Sequence, residues 1–216
     1  MNNKKALVIL DGERPSEITL KKYWEMADFR ICADGAAGIC VDHNLAPDLI
    51  LGDFDSITPD IKTFFSSCQF IHIPDQETTD GEKAIQYCRD NDFEEILILG
   101  ALGKRSDHGL YNLGLLKKFK SCKQKIVLYS EEEEVFLIGE EHVFEEIPGT
   151  RISMMPIFGP VINVTTCGFL YPINSRDLEL GVFSSISNEI KDRPASVSFS
   201  SGELLILKER LIEKLQ

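Results

Sequence analysis

Pro47-Asp48-Leu49-Ile50-Leu51-Gly52-Asp53-Phe54-Asp55-Ser56 sets three apolar residues between a proline–aspartate turn and a glycine, then two aspartates one residue apart. A short apolar run with turn residues at both ends reads as a strand buried on both faces, the kind found in parallel sheets. Gly52–Ser56 then lies beyond the strand's carboxyl end, where open α/β sheets bind their ligands. Side chains two apart in extended chain point the same way, so Asp53 and Asp55 are expected to share a face. Their repulsion makes a purely structural role a poor explanation, and a ligand that takes up both charges a better one.

Similar apolar runs flank this one at Ala6–Leu10, Phe29–Ala33, Phe70–Ile73, Ile96–Leu99 and Ile126–Tyr129. The segments between them carry helix signals. Thr58-Pro59-Asp60 offers a cap, a proline at the first helical position and an early acid. Thr79 with Glu82 matches a capping box, and Ala84, Ile85 and Cys88 follow on one helical face. After Ser106-Asp107, residues Leu110, Leu113 and Leu116 are predicted to form one apolar stripe. Strand and helix in alternation predict a wound, mainly parallel α/β domain over residues 1–138.

From about Gly139 the runs shorten and alternate, with turn signals at Pro148-Gly149, Gly159-Pro160 and Ser201-Gly202. Val197 and Phe199 alternate with serines, and Glu203–Leu207 is expected to be their hairpin partner. Residues 139–216 thus predict a small antiparallel β-sandwich or barrel. The acidic run Glu131–Glu134, just before the change, reads as a solvated edge or linker.

Charge and composition narrow the function. The 216 residues carry 23 basic and 35 acidic side chains, a net −12, which argues against nucleic acid as a partner. Hydrophobic residues at 43% and charged residues at 27% fit a globular protein with a core and exclude disorder as the main state. Ala6–Leu10 is too short for the apolar segment of a secretory leader, and no run approaches a membrane span. Cysteines 32, 40, 68, 88, 122 and 167 form no C-x-x-C pair, so reduced thiols and a cytoplasmic location are expected. Histidines 43, 72, 108 and 142 lack metal-ligand spacing.

Acids and glycines gather after the predicted strands: Asp11-Gly12, Asp34-Gly35, Asp53 and Asp55, Asp75 with Asp80, and Gly100–Gly103 leading to Arg105 and Asp107. Taken singly, Asp11, Asp34, Thr79, Asp80 and Asp107 are also ordinary turn or helix-cap residues. Together in one crevice, such carboxylates call for a cation, and magnesium suits oxygen ligands and phosphates. Glycine turns admit close backbone approach to phosphate, and Lys104 and Arg105 supply cations for anionic oxygens. The combination points to a magnesium–nucleotide site. It is not a P-loop, which would need a glycine at Ile98 and a serine or threonine at Arg105, and no GxGxxG follows the first strand.

In order along the chain, five segments resemble the thiamine pyrophosphokinase family, which moves diphosphate from ATP to thiamine. They are Ala33-Asp34-Gly35-Ala36, the Pro47–Ser56 segment, Asp75-Gln76-Glu77-Thr78-Thr79-Asp80 with Lys83-Ala84, Gly100–His108 with Asn112 downstream, and Ser185-Ile186-Ser187-Asn188-Glu189. The resemblance implies an α/β nucleotide domain followed by a β-sandwich, and a homodimer with thiamine between one subunit's first domain and its partner's second. It implies Asp53, Asp55, Asp80 and Arg105 as catalytic residues, the three aspartates as magnesium ligands, and Asp34, Gly35, Gly100, Gly103, Arg105 and Asp107 around ATP. It also implies Gln76, Thr79, Ser187 and Asn188 around thiamine, with Asp55 or Asp80 taking the hydroxyl proton. Ser187 and Asn188, without the resemblance, are common turn residues.

The chain departs from the family pattern at Glu77, where aspartate is usual, at Gly81, where an apolar residue is usual, and at Lys104, where a second glycine is usual. Trp24, the only tryptophan, lies in the first half, so any ring stacked on thiamine in the second is Phe or Tyr. Two other functions share the same acids: a magnesium-dependent pyrophosphokinase or hydrolase with another acceptor, and a non-catalytic sensor of thiamine diphosphate.

Overall fold

The computed structural model describes residues 4–121 and 123–210; Cys122, one of the six cysteines, lies outside them. The chain divides between Glu131 and Glu132 into two compact units. In the first unit the elements are β1 (Lys5–Ile9), α1 (Glu17–Met26), β2 (Phe29–Ala33), α2 (Ala37–Asp42), β3 (Leu49–Gly52), α3 (Pro59–Phe64), β4 (Gln69–His72), α4 (Asp80–Asp90), β5 (Glu95–Leu99), α5 (Ser106–Lys118) and β6 (Lys125–Tyr129). A 3₁₀ turn, Asp34–Ala36, joins β2 to α2.

All six strands of this unit pair in parallel, in the order β6-β5-β1-β2-β3-β4. The apolar runs form them because both faces are covered. Leu7, Ile9, Cys32, Ile50, Leu97 and Leu99 pack with Leu20 and Tyr23 of α1, Ile39 and Cys40 of α2, and Phe65 after α3. Helix α4 lies against β1, β2 and β3 through its buried Ala84, Ile85 and Cys88. Strand β4 ends the sheet and is only half-buried.

Local chemistry sets the helix starts. The Thr58 hydroxyl accepts from the Ile61 N–H, with Pro59 at the first helical position. The Thr79 hydroxyl accepts from the Glu82 N–H at 3.3 Å, but the capping box is half-formed. Glu82 turns instead to the Tyr111 hydroxyl and the Lys118 ammonium, tying α4 to α5. On α5 the predicted stripe is rotated. Leu116 is buried as expected and Leu113 is half-buried, but Leu110 is 68% exposed, and Gly109, Leu115 and the following Phe119 complete the buried face.

The second unit holds β7 (Glu133–Ile138), β8 (Glu141–Phe144), β9 (Arg151–Met155), β10 (Val161–Cys167), β11 (Arg176–Leu178), β12 (Ser185–Glu189), β13 (Ala195–Ser198) and β14 (Leu204–Glu209). They form two antiparallel layers, β12-β9-β14-β7 and β11-β10-β13-β8. Between the layers Phe144, Ile152, Met154, Val164, Leu178, Val197 and Ile206 make a common core. The expected hairpin of Val197 with Glu203–Leu207 does not form. The turn at Ser201-Gly202 carries the chain from one layer to the other, so β13 pairs with β8 and β10 while β14 pairs with β7 and β9.

The unit boundary falls seven residues before the expected division, because residues 133–138 pair along their whole length with β14. The acidic run is accordingly not a solvated linker. Glu131 accepts from the Ser16 N–H at 2.6 Å, the Ser16 hydroxyl at 3.0 Å and the Thr19 hydroxyl at 2.9 Å, capping α1. Glu134 pairs with the Lys208 ammonium at 2.9 Å.

Strand order reverses at β1, whose neighbours are β2 on one side and β5 on the other. Beyond this pair the backbones stay in contact: the Leu10 N–H donates to Leu99 O, Gly12 N–H to Gly100 O and Glu13 N–H to Leu102 O. Gly100 has φ +68°, and a Cβ there would lie 2.1 Å from the Leu10 carbonyl oxygen. Gly100→Ala is expected to cost about 3 kcal/mol, from left-handed strain plus backbone displacement, read as a lower denaturant midpoint with an unchanged m-value.

Candidate active site

A cavity of about 380 Å³ opens at this reversal, walled by Asp11, Asp34, Asp53, Asp80, Lys83, Lys104 and Arg105 among others. Each wall residue arrives from the carboxyl end of a strand or the start of a helix. Asp11 follows β1, Asp34 follows β2, Asp53 follows β3, Asp80 opens α4, and Lys104 and Arg105 follow β5.

Asp34, Asp53 and Asp55 each bring a carboxylate oxygen to within 4.8 Å of the others. Two backbone features create this approach. Gly52, at φ +153°, leaves room that a Cβ would take 2.6 Å from the Asp34 Cβ. Phe54 is left-handed at φ +65°, and its ring stacks on His72 at 5.3 Å and edges Phe70 at 5.9 Å. The two aspartates share a side because this pinned turn brings them together; the strand stops at Gly52, so the alternation of an extended chain does not apply. The Asp55 N–H closes the turn on Asp53 Oδ1 at 3.2 Å, and Gln76 Nε2 donates to Asp53 Oδ2 at 2.7 Å.

Asp53, Asp34 and Asp80 are shifted in different directions by their surroundings. Asp53 is held below the ordinary range by the Asp55 N–H and the Gln76 amide. Asp34 is buried and pushed up to about 6, first by desolvation and then by the charges of Asp80 and Asp53. Burial raises Asp80 as well, although the Lys83 ammonium 3.4 Å away opposes it. Among the described residues, Asp34 Oδ1 is buried without a hydrogen-bond partner. A buried oxygen in that condition, set among two further carboxylates, suits a hard divalent cation.

The sequence reading placed Asp80 in the metal group and Asp34 beside the nucleotide; the tight group holds Asp34, while Asp80 lines the same cavity beside Lys83. Gly35, Gly100, Gly103 and Thr79 also line it. Arg105 grips Asp107 with two hydrogen bonds, Nε at 3.1 Å and Nη2 at 2.6 Å, and Asp107 falls to about 2 through that contact and the His108 N–H. Asn112 lines the wall and holds the glycine loop by donating to Ala101 O at 2.7 Å. Gly81 has a packing reason: a Cβ there would meet Asn112 Oδ1 at 3.1 Å and Leu10 Cδ1 at 3.2 Å.

Lys83 and the pairing of Asp11 with Lys104 at 2.6 Å were not assigned from sequence. Lys83 is 6% exposed, and only its place within the acid-rich segment hinted at a cavity role. Lys104 has φ +51°, a conformation that costs a side-chain-bearing residue about 1 kcal/mol.

In the second unit Ser187 is exposed and left-handed at φ +53°, with its N–H donated to Ser153 Oγ at 2.9 Å. Asn188 faces inward at 2% exposure. Its Oδ1 accepts from the Tyr171 and Glu189 N–H groups at 3.1 and 2.9 Å, and its Nδ2 donates to Tyr171 O and Ser185 Oγ at 2.8 and 3.2 Å. The amide therefore fastens the Tyr171 segment to β12.

A doubly wound parallel sheet with an acid-lined crevice at its reversal, followed by an antiparallel sandwich, defines a two-domain α/β protein with a ligand site at the switch point. Residues 20–128 match the family model for the thiamin pyrophosphokinase catalytic domain, and residues 141–204 match that for the thiamin pyrophosphokinase vitamin B1 binding domain. Thiamine pyrophosphokinase 2 of Arabidopsis thaliana is 31% identical over 93% of this chain and 84% of its own length. Thiamine pyrophosphokinase of Bacillus subtilis is 29% identical over 93% and 96%. A crystal structure of thiamine pyrophosphokinase from Bacillus subtilis superposes with a TM-score of 0.83 at 25% identity, covering 97% of this chain and all of that one. The chain belongs to the thiamine pyrophosphokinase family.

Asp34→Asn tests the charge crowding. Because the folded carboxyl titrates near 6 and the unfolded one near roughly 4, the folded state binds more protons in that window, and stability falls as pH rises through it. In metal-free protein the variant is expected to gain on the order of 2 kcal/mol at pH 7.5, an advantage that shrinks below pH 6 and is gone near pH 4. Asparagine also tolerates the φ of +30° at this position. Thermal melts across pH in the presence of chelator measure it. Asn188→Ala, which removes a buried amide and leaves the Tyr171 and Glu189 N–H groups without their acceptor, is expected to cost about 2 kcal/mol in the same melts.

Proposed function

We propose that this chain is an enzyme that transfers the terminal diphosphate of ATP to the hydroxyl of thiamine, releasing AMP. The observation that carries this reading is the convergence of Asp34, Asp53 and Asp55 at a cavity that also presents Lys104 and Arg105, in a chain of this family. The thiamine oxygen forms a bond to the β-phosphorus while the bond from that phosphorus to the α,β-bridging oxygen breaks. AMP leaves with the electron pair, and the hydroxyl proton passes to a carboxylate of this acidic wall.

Asp34, Asp53 and Asp55 are the residues that would hold Mg²⁺, with Asp80 close enough to feel their charge. Bound there, the ion neutralises phosphate oxygens and fixes their orientation. The chain's own residues do the rest. Gly35, Gly100 and Gly103 let the backbone lie close to the nucleotide, and Asn112 keeps that loop in place. Arg105 meets charge on the phosphates, its fork oriented by Asp107. Gln76, anchored on Asp53, and Thr79, on the cavity wall, are the first unit's candidates for contact with thiamine. Ser187 and the segment that Asn188 fastens supply thiamine contacts from the second unit.

On this reading the first unit is the ATP-binding catalytic domain and the second the thiamine-binding domain. The active species is a homodimer. Tyr171, Leu180, Val182 and Ile186 are all more than half exposed on the second unit, the pattern of an association surface. Among the described residues no helix is long and apolar enough to cross a membrane, and the five described cysteines are free thiols, in keeping with a cytoplasmic enzyme.

The test is a product assay with ATP, magnesium and thiamine that resolves AMP from ADP. AMP with thiamine diphosphate is the expected pair. ADP with thiamine monophosphate overturns attack at the β-phosphorus, and no product from folded protein overturns the reaction in favour of another acceptor or a sensor. Asp53→Asn with Asp55→Asn is expected to lower kcat at least about 100-fold in folded protein. Full activity in that double variant sinks the metal assignment.

A further inference from the structure

Lys104, at φ +51°, holds a backbone conformation that glycine adopts freely and lysine does not. Its ammonium crosses the cavity mouth to Asp11 Oδ1 at 2.6 Å, with both side chains about half exposed. As a structural clamp this pair has little to do. The loops after β1 and β5 are already fastened by three backbone hydrogen bonds, and an exposed ion pair contributes little to stability. A strained lysine kept at the mouth of a ligand cavity points to function instead.

The wall of the cavity explains what the lysine is for. Four of its residues are carboxylates, Asp11, Asp34, Asp53 and Asp80, against three cations, Lys83, Lys104 and Arg105. Lys83 is buried against Asp80, and Arg105 is engaged by Asp107, so Lys104 is the cation whose partner is a carboxylate of the mouth itself. A polyphosphate chain entering here carries oxygens that compete directly with Asp11 for the ammonium.

We propose that Asp11 and Lys104 form an exchangeable latch: entry of the nucleotide breaks their ion pair and moves the Lys104 ammonium onto phosphate oxygens. Lys104 raises affinity for the nucleotide, and Asp11 lowers it by holding the lysine in the free enzyme. The assignment rests on the ATP reading above.

Calorimetric binding of magnesium–ATP to the full-length protein, with thermal melts alongside, tests it. Lys104→Gly is expected to weaken binding about tenfold and to flatten its salt dependence, while the ligand-free melting temperature stays equal or rises. Lys104→Asn, which keeps left-handed propensity without the charge, is expected to show the same loss, and Lys104→Arg to stay within threefold of the parent. Asp11→Asn is expected to bind as tightly as the parent or up to threefold tighter. A purely structural clamp gives the opposite pattern, with Asp11→Asn and Lys104→Gly weakening binding alike, and that result overturns the latch. Lys104→Gly binding within twofold of the parent also overturns it while leaving the ATP reading intact. A parent protein that binds no ATP overturns both.

Discussion

The reversal of strand order at β1 is the constraint on which the first unit depends. Because β1 pairs with β2 on one side and β5 on the other, the connections that leave these strands diverge in opposite directions. A crevice is then unavoidable, and the chain fills its edges with the residues that follow each strand. The backbones beneath the crevice approach so closely that Leu10 O lies where a Cβ of residue 100 would sit. Only a glycine closes this seam, which fastens the loops that carry Asp11, Lys104 and Arg105.

Bringing carboxylates to one edge creates an electrostatic problem, which the site resolves unevenly. Asp53 stays ionised because an N–H and an amide point at it, and Asp107 because a guanidinium fork holds it. Asp34 and Asp80 are pushed the other way by burial and by their neighbours. The two treatments are complementary. Fixed anions beside raised ones make a wall whose total charge responds to a cation, since each positive charge that enters relieves the raised carboxyls as well as pairing with the low ones. A uniformly solvated set of aspartates would gain much less from the same ion.

Much of this was legible in the chain itself, and the parts that were not have physical reasons. The first-unit strands were readable because burial on both faces leaves a continuous apolar run, and Phe29–Ala33 matches a strand residue for residue. Thr58 and Thr79 announced their helices because a cap is a local interaction. What failed was non-local. The Glu131 carboxylate caps a helix more than a hundred residues earlier, which no charge-run argument can see. The expected partner of Glu203–Leu207, the strand around Val197, lies in the opposite layer of the sandwich, and hairpin logic cannot anticipate a turn that changes layers. Asp53 and Asp55 were paired correctly by an extended-chain argument that does not hold, since the turn at Phe54 does the work. The pairing of Asp11 with Lys104 likewise needed the two loops to be placed side by side.

The distribution of left-handed residues separates what the fold needs from what the site needs. In the first unit these are Asp34, Asn44, Phe54, Asp92 and Lys104. Asn44 and Asp92 lie just past the ends of α2 and α4, where such a conformation closes a helix and where asparagine and aspartate tolerate it. There, residue type and backbone agree. At the cavity the agreement breaks down: Phe54 and Lys104 occupy a conformation that bulky side chains resist, while Asp34 sits buried with an unpartnered oxygen. Glycine at 54 or 104 would relieve the backbone. It would also remove the ring that pins the Asp53–Asp55 turn against His72 and the ammonium that faces Asp11. The strain is therefore confined to the positions where a side chain does something that no glycine can, and the rest of the unit, with its paired strands and matched helix ends, is what keeps those positions in place.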